Sequence, residues 1–214
     1  MKKIVAINGS GRKNGNSASI LKAFLEGVRS IGVDFEVEYV DVFDLDFKGC
    51  RGCQGCTLKS RKEIGCIQQD GASALLRRMR AADGLVYSSP VYFWELSAQL
   101  RALLERYIYP GALDHHQEIA ALYTMYQPES VSQIAFTPHA DTIRGMMCSF
   151  LYDVEVEELM INETQTWETG KAEPYMISPA KVARSEAIHA RRWETDLANA
   201  RAAGVAFARR ILEE

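Results

Sequence analysis

Residues 3–17 read KIVAINGSGRKNGNS, and the fold follows from this stretch. Lys3 to Asn8 is a short apolar run of the kind that forms a buried strand. A loop rich in glycine and asparagine follows. Ser17 to Ile31 then places Ile20, Leu21, Phe24, Leu25 and Val28 at i, i+3 and i+4, the period of an amphipathic helix, with Ser17 suited to its start. Strand, glycine loop and helix together suit an anion. Glycines let backbone N–H groups approach it, and the helix N-terminus adds a favourable dipole. Ser10, Asn16 and Ser17 supply short donors, and Arg12 supplies a fork for phosphate oxygens. Two rival motifs fit less well. The P-loop pattern needs a lysine where Asn16 stands, and G-x-G-x-x-G needs a glycine where Asn14 stands. Asp41, near the end of the second strand, keeps a dinucleotide site open. The bland reading, a connecting loop that binds nothing, stays open as well.

Further along, the period alternates between strand and helix. Phe35 to Val42 alternates apolar and acidic residues, a strand with one face wet or at a sheet edge. Ala72 to Arg80 reads as a short helix, Gly84 to Ser88 as a buried strand and Ser97 to Tyr107 as an amphipathic helix. Ile119 to Met125 is a fourth strand, Thr142 to Leu151 a helix and Val154 to Asn162 a fifth strand. A long helix over Lys181 to Leu212 closes the chain, with a break expected near Ala190. The alternation implies an α/β fold: a doubly wound, five-stranded parallel sheet with helices on both faces. Such sheets bind ligands beyond the carboxyl ends of their strands, at the switch point. The loops after strands one, three and four are the places to look. We expect one domain over 1–214, with a cysteine-rich loop at 48–70 and a C-terminal helical extension at 181–214. Residues 163–180 carry the least pattern, an excursion or a subunit contact.

Composition narrows the class. The chain has 214 residues, 47% hydrophobic and 25% charged, with a formal net charge of -3. These are values of a globular protein, and the charge argues against nucleic acid as partner. The C-terminal arginines alternate with acids, as on a solvated helix face. No apolar run reaches the roughly 18 residues of a membrane span, and the N-terminal run is too short for a signal-peptide core. A cytoplasmic location is expected.

Two further segments carry chemistry. Tyr92, Phe93 and Trp94 leave the third strand as consecutive aromatics, suited to stacking on a planar heterocycle or to an interface. With the phosphate loop nearby, they favour a ligand with a phosphate tail and an aromatic head. Cys50, Cys53 and Cys56 form a C-x2-C-x2-C triplet, and Cys66 follows after nine more residues. Such spacing suits soft-thiolate chemistry, and three outcomes stay open: an iron–sulfur cluster, a zinc staple or free thiols. Cys148 reads as a buried core thiol. His115 and His116 read as solvated loop residues, and Trp167 and Trp193 as packing or interface residues.

Three stretches together resemble the NADPH-dependent FMN reductases and, more closely, the iron–sulfur flavoproteins of that flavodoxin-like group. They are Asn8 to Ser17, the cysteine segment ending in Cys66-Ile67-Gln68-Gln69-Asp70, and Ala82 to Phe93 with Ser97 to Leu100 and Glu105 to Tyr107. The resemblance covers about the first half of the chain. It implies FMN, with Ser10, Arg12, Asn16 and Ser17 around the phosphate. Pro90, Val91, Tyr92 and Phe93 would lie along the isoalloxazine, with Thr124 and Met125 approaching from the next loop. It implies a homodimer or homotetramer. It also implies a [4Fe-4S] cluster on Cys50, Cys53, Cys56 and Cys66, although the last gap is longer than the group's usual one.

The expected function is an FMN-dependent oxidoreductase or electron-transfer flavoprotein, fed by NAD(P)H or by a ferredoxin-type partner. No side chain needs to act as acid or base, since the flavin carries the chemistry. One alternative is an NAD(P)H-dependent FMN or quinone reductase without a cluster. Another is a flavin-binding redox-sensing module without turnover.

Overall fold

The computed structural model describes residues 1–57, 65–108, 113, 115–151, 153–164 and 179–213. Five strands form one parallel sheet: β1 (Lys3–Asn8), β2 (Glu36–Asp41), β3 (Gly84–Pro90), β4 (Gln117–Thr124) and β5 (Val154–Ile161). Their order across the sheet is β2-β1-β3-β4-β5, so the direction in which successive strands are added reverses at β1, with β2 on one side and β3 on the other. This is the flavodoxin-like order, whose ligand site lies at that reversal.

Side-chain alternation sends the sheet's apolar residues to two faces. On one, Ile4, Ala6, Val86, Ala120 and Leu122 pack under α1 (Asn16–Ser30) and α6 (Pro179–Glu213). On the other, Val5, Ile7, Leu85, Tyr87, Ile119 and Tyr123 pack under α2 (Ser73–Ala81), α3 (Ala98–Ile108) and α5 (Thr137–Leu151). The middle strands β3 and β4 are buried almost end to end. By contrast, β2 is half wet and lies at the edge, and its Glu36 and Glu38 pair with Lys3 and Arg78. Charges on an edge strand discourage pairing with another chain.

The helices differ from expectation in three places. A short α4 (Glu129–Ala135) precedes α5, and α5 begins at Thr137 rather than Thr142. Pro138 explains the later expected start, since proline stops a helix pattern but is welcome in a first turn. Phe136, between the two helices, is buried edge-on against Tyr123 (5.0 Å). The break expected near Ala190 does not occur, because α6 runs unbroken from Pro179 to Glu213. Its arginine-rich face stays wet while Ala200, Phe207, Ala208 and Ile211 pack on the sheet and α1. Cys148 is exposed, correcting its placement in the core. The buried stripe of α5 is Ala140, Ile143, Met147 and Leu151, and position 148 lies about 100° round from it.

Candidate functional site

The loop after β1 is built by Asn8. Its Nδ2 donates to Asp41 Oδ1 (2.6 Å), and its Oδ1 accepts the Ser10 N–H (3.1 Å). Asp41 is thereby committed to shaping the loop. Gly9 donates its N–H to Ser88 O (2.7 Å), and a Cβ at Gly9 would lie 2.7 Å from that same oxygen. Ser10 Oγ accepts the Arg12 N–H (3.1 Å), and Gly15 closes the turn onto Arg12 O (3.0 Å). A Cβ on Gly15 would meet Arg12 at 2.9 Å, so the tight turn requires glycine. Helix α1 then starts with no side-chain cap and no acid in its first turn. The N-terminus of α1 thus turns its favourable dipole toward the cavity, as an anion requires. Lys13 turns away to Asp44 (2.5 Å), whose hydrogen bond raises the ammonium pKa.

Eight of the residues expected at the site line one cavity of about 130 Å³: Ser10, Arg12, Asn16, Ser17, Pro90, Val91, Tyr92 and Thr124. Ser17 Oγ and Thr124 Oγ1 share a hydrogen bond (2.7 Å), and Ser88 Oγ donates to Ser17 O (2.9 Å). The loops after β1, β3 and β4 are thus tied together across the switch point. The other two, Phe93 and Met125, line an adjoining slot of about 240 Å³ with Val91, Trp94, Tyr126 and Gln127. The aromatic loop here is a two-residue hairpin. Tyr92 and Glu95 exchange backbone hydrogen bonds (2.9 and 3.0 Å), and Phe93 and Trp94 between them have φ of 51° and 64°. Two bulky residues in the left-handed region are strained, and such strain concentrates at ligand sites. Phe93 is 100% exposed.

The cysteine segment is anchored from α3. The Arg106 guanidinium, with none of its side chain exposed, pairs with Asp70 Oδ2 (2.7 Å) and donates to Lys48 O (2.9 Å) and Gln68 O (3.3 Å). Gln68 Nε2 donates to Gly49 O (3.3 Å) and toward Cys66 Sγ (3.8 Å). Both ends of the segment are therefore held to one another. Burial, and then the charges of Cys66, Cys50 and Cys53, push the Cys56 thiol up. Among the described residues, no three His, Cys, Asp or Glu side chains are placed as a metal ion requires. Cys50 and Cys56 instead line a cavity of about 650 Å³ against α3 and α5.

Comparison with known proteins agrees with this architecture. The family described as NADPH-dependent FMN reductase matches residues 2–132. This chain belongs to the NADPH-dependent FMN reductase family. An iron–sulfur flavoprotein of Methanosarcina thermophila is 36% identical over 104 residues, which are 49% of this chain and 51% of the relative. An iron–sulfur flavoprotein of Methanocaldococcus jannaschii is 34% identical over the same length, again 49% and 51%. The chain spans about half the length of the curated relatives it matches. An azoreductase of Bacillus anthracis shares the fold with a TM-score of 0.67 at 14% identity, covering 97% of this chain and 100% of that one. A flavodoxin from the domain Archaea does so at 0.53 and 12% identity, with 98% of each chain covered.

In this FMN reductase family member, sequence reasoning missed the site's shared wall. Tyr126 lines both the phosphate-loop cavity and the aromatic slot, and Thr164 and Gly15 line the former. The signal for Tyr126 was its place one residue beyond Met125 in the loop after β4. Thr164 had none, because it reaches the site only through its N–H donating to Met125 O (2.9 Å). His115 and His116 fasten loops, to Ala82 O (3.1 Å) and Asp153 (2.9 Å). Trp193 packs at the rim of the α1–α6 core, and Trp167 lies outside the described residues. No described helix is long and apolar enough to cross a membrane.

Proposed function

We propose that the protein is an FMN-dependent oxidoreductase that takes electrons from a nicotinamide dinucleotide and passes them to a separate acceptor. The carrying observation is the cavity that joins an uncapped helix N-terminus to the strained aromatic hairpin. The residues present fit FMN. Ser10, Arg12, Asn16 and Ser17, with the α1 N–H groups, would hold the phosphate, and a side chain at Gly15 would spoil that cradle. Pro90, Val91, Tyr92 and Phe93, with Thr124 and Met125, would hold the ring in the adjoining slot. Bound FMN supplies two-electron acceptance and release of electrons singly or in pairs. The chain's part is binding, orientation and exclusion of water from the ring. We further infer a homodimer or homotetramer, and place the protein in the cytoplasm. The test is purification followed by a visible spectrum and release of flavin. About one FMN per chain, bleached by NADPH or NADH, is expected. Protein without flavin affinity overturns the reading.

A second reading adds electron entry through the cysteine segment. It is favoured by four cysteines on one segment whose two ends Arg106 and Gln68 hold together, and by relatives named iron–sulfur flavoproteins. Four thiolates on Cys50, Cys53, Cys56 and Cys66 are the donor set of a [4Fe-4S] cluster. Their present positions do not close around a metal, so no step is routed through one. Iron and acid-labile sulfide assayed on anaerobic protein decide it: about four of each per chain supports the cluster and a ferredoxin-type partner. Neither would leave the cluster-free reductase.

A further inference from the structure

Just beyond β5 the chain turns back on itself. Met125 donates its N–H to Ile161 O (2.8 Å), which continues the register of β4 and β5. Glu163 then donates to Gln127 O (3.2 Å), two residues further along the loop after β4, but Thr164 donates back to Met125 O (2.9 Å). The reversal is made at Glu163, whose φ is 56°. It delivers Thr164, only 4% exposed, into the wall of the cavity lined by Ser10, Asn16, Ser17 and Thr124. A short hydroxyl side chain thereby joins the cradle from a fourth loop. Glutamate is a poor residue for such a turn. The left-handed region is costly for side chains other than asparagine and aspartate, and glycine alone enters it freely. A glutamate there has to be held, and α6 holds it: Glu163 Oε2 accepts from Arg192 Nη1 (2.9 Å). Arg192 is in turn steadied by Asp196, buried one turn along the same helix (3.8 Å). A part-exposed ion pair on a flat surface contributes little. This one grips the residue that makes the turn, so its loss frees the turn and lets Thr164 leave the cavity.

We propose that Thr164 is a further FMN-binding residue, and that Glu163 and Arg192 are positioning residues, a latch by which α6 holds the fourth wall of the site. The proposal rests on the flavin reading, since the cavity is the one given to FMN. Thr164 offers its hydroxyl to the ribityl phosphate tail. The latch touches no ligand and acts only through Thr164.

The test titrates FMN into the full-length, flavin-stripped protein and follows flavin fluorescence, with the ligand-free thermal midpoint measured beside it. The variants are Thr164→Val, Thr164→Ser, Glu163→Gln, Arg192→Gln, Arg192→Lys and the double change Glu163→Gln with Thr164→Val. Thr164→Val should bind FMN about fivefold more weakly, as for one lost hydrogen bond, and Thr164→Ser should bind like the wild type. Glu163→Gln and Arg192→Gln should each lose about threefold, with Arg192→Lys restoring most of it. The decisive comparison is the double variant. A latch that acts through Thr164 has nothing left to lose once the hydroxyl is gone, so Glu163→Gln should cost no further affinity in the Thr164→Val background. A purely structural role would instead lower the ligand-free midpoint and leave the two losses additive, and that result overturns the latch. Thr164→Val that binds FMN as tightly as the wild type overturns the proposal as a whole and leaves the flavin reading standing. Wild-type protein without FMN affinity sinks the flavin reading itself, and the proposal with it.

Discussion

A guanidinium with no exposed surface, such as that of Arg106, is tolerable only while its partners hold it. Burial alone would raise the Asp70 carboxyl, but the hydrogen bonds from Arg106 and from the Ala72 N–H outweigh that, and its pKa is lowered. A carboxyl lowered in the folded state stabilises fully above its unfolded value and loses that stabilisation as pH falls through the folded one. Asp70→Asn removes the charge and leaves Arg106 uncompensated, so we expect a loss of about 3 kcal/mol in urea unfolding at neutral pH. The gap to wild type should narrow below the ordinary 3.8, where Asp70 gains a proton in the unfolded chain, and close as pH falls through its lowered folded value. A gap constant from pH 7 to 3 would show that the pair is not the cause. The hairpin tip offers the opposite sign. Phe93 is fully exposed at φ 51°, so it pays left-handed strain and gains no burial. Asparagine tolerates that conformation, and Phe93→Asn should stabilise the FMN-free protein by about 1 kcal/mol. The same change should weaken FMN severalfold by fluorescence titration, the signature of strain kept for a ligand.

At the scale of elements, α1 and α6 cross where each carries a glycine. A Cβ on Gly27 would lie 2.0 Å from Arg201 O, and one on Gly204 would lie 2.0 Å from Phe24 O. Alanine improves helix propensity by about 1 kcal/mol, yet here it must push two backbones apart. Gly204→Ala is therefore expected to destabilise by about 2–3 kcal/mol net, read from the thermal midpoint. A neutral or stabilising result would mean the helices part freely. This crossing also shows what was legible. The apolar stripe of α1 and the continuous apolar runs of β1, β3 and β4 announce themselves by period, because burial on a fixed face imposes one. The short α4 buries only Ser132, so it has no stripe to read. Gly204 reads in sequence as a helix weak point, and only its partner backbone explains it. The site divides the same way. Ser10 through Ser17 and Pro90 through Phe93 are contiguous motifs, whereas Thr164 reaches the cavity only through the packing of the segment after β5.

For the molecule as a whole, the loops after β1, β3 and β4 meet at one end of the sheet and are joined by few direct bonds, chiefly Ser17 with Thr124 and Ser88 with Ser17. A ligand that spans these loops binds the folded chain and not the unfolded one. Stability must then rise with its concentration, by about 2.7 kcal/mol at one hundred times Kd. For a chain of this size that is a thermal shift of roughly 5–10 °C. The phosphate cradle makes the shift specific. FMN should produce it, and riboflavin, which has the ring without the phosphate, should produce a small fraction of it. Arg12→Ala should shrink the FMN shift, measured from the variant's own ligand-free midpoint, toward that of riboflavin, because Arg12 lines the cavity beside Ser10 and Asn16. Equal shifts from FMN and riboflavin would place the binding energy in the aromatic slot alone, and the loop after β1 would then be a turn that shapes the sheet end without gripping an anion.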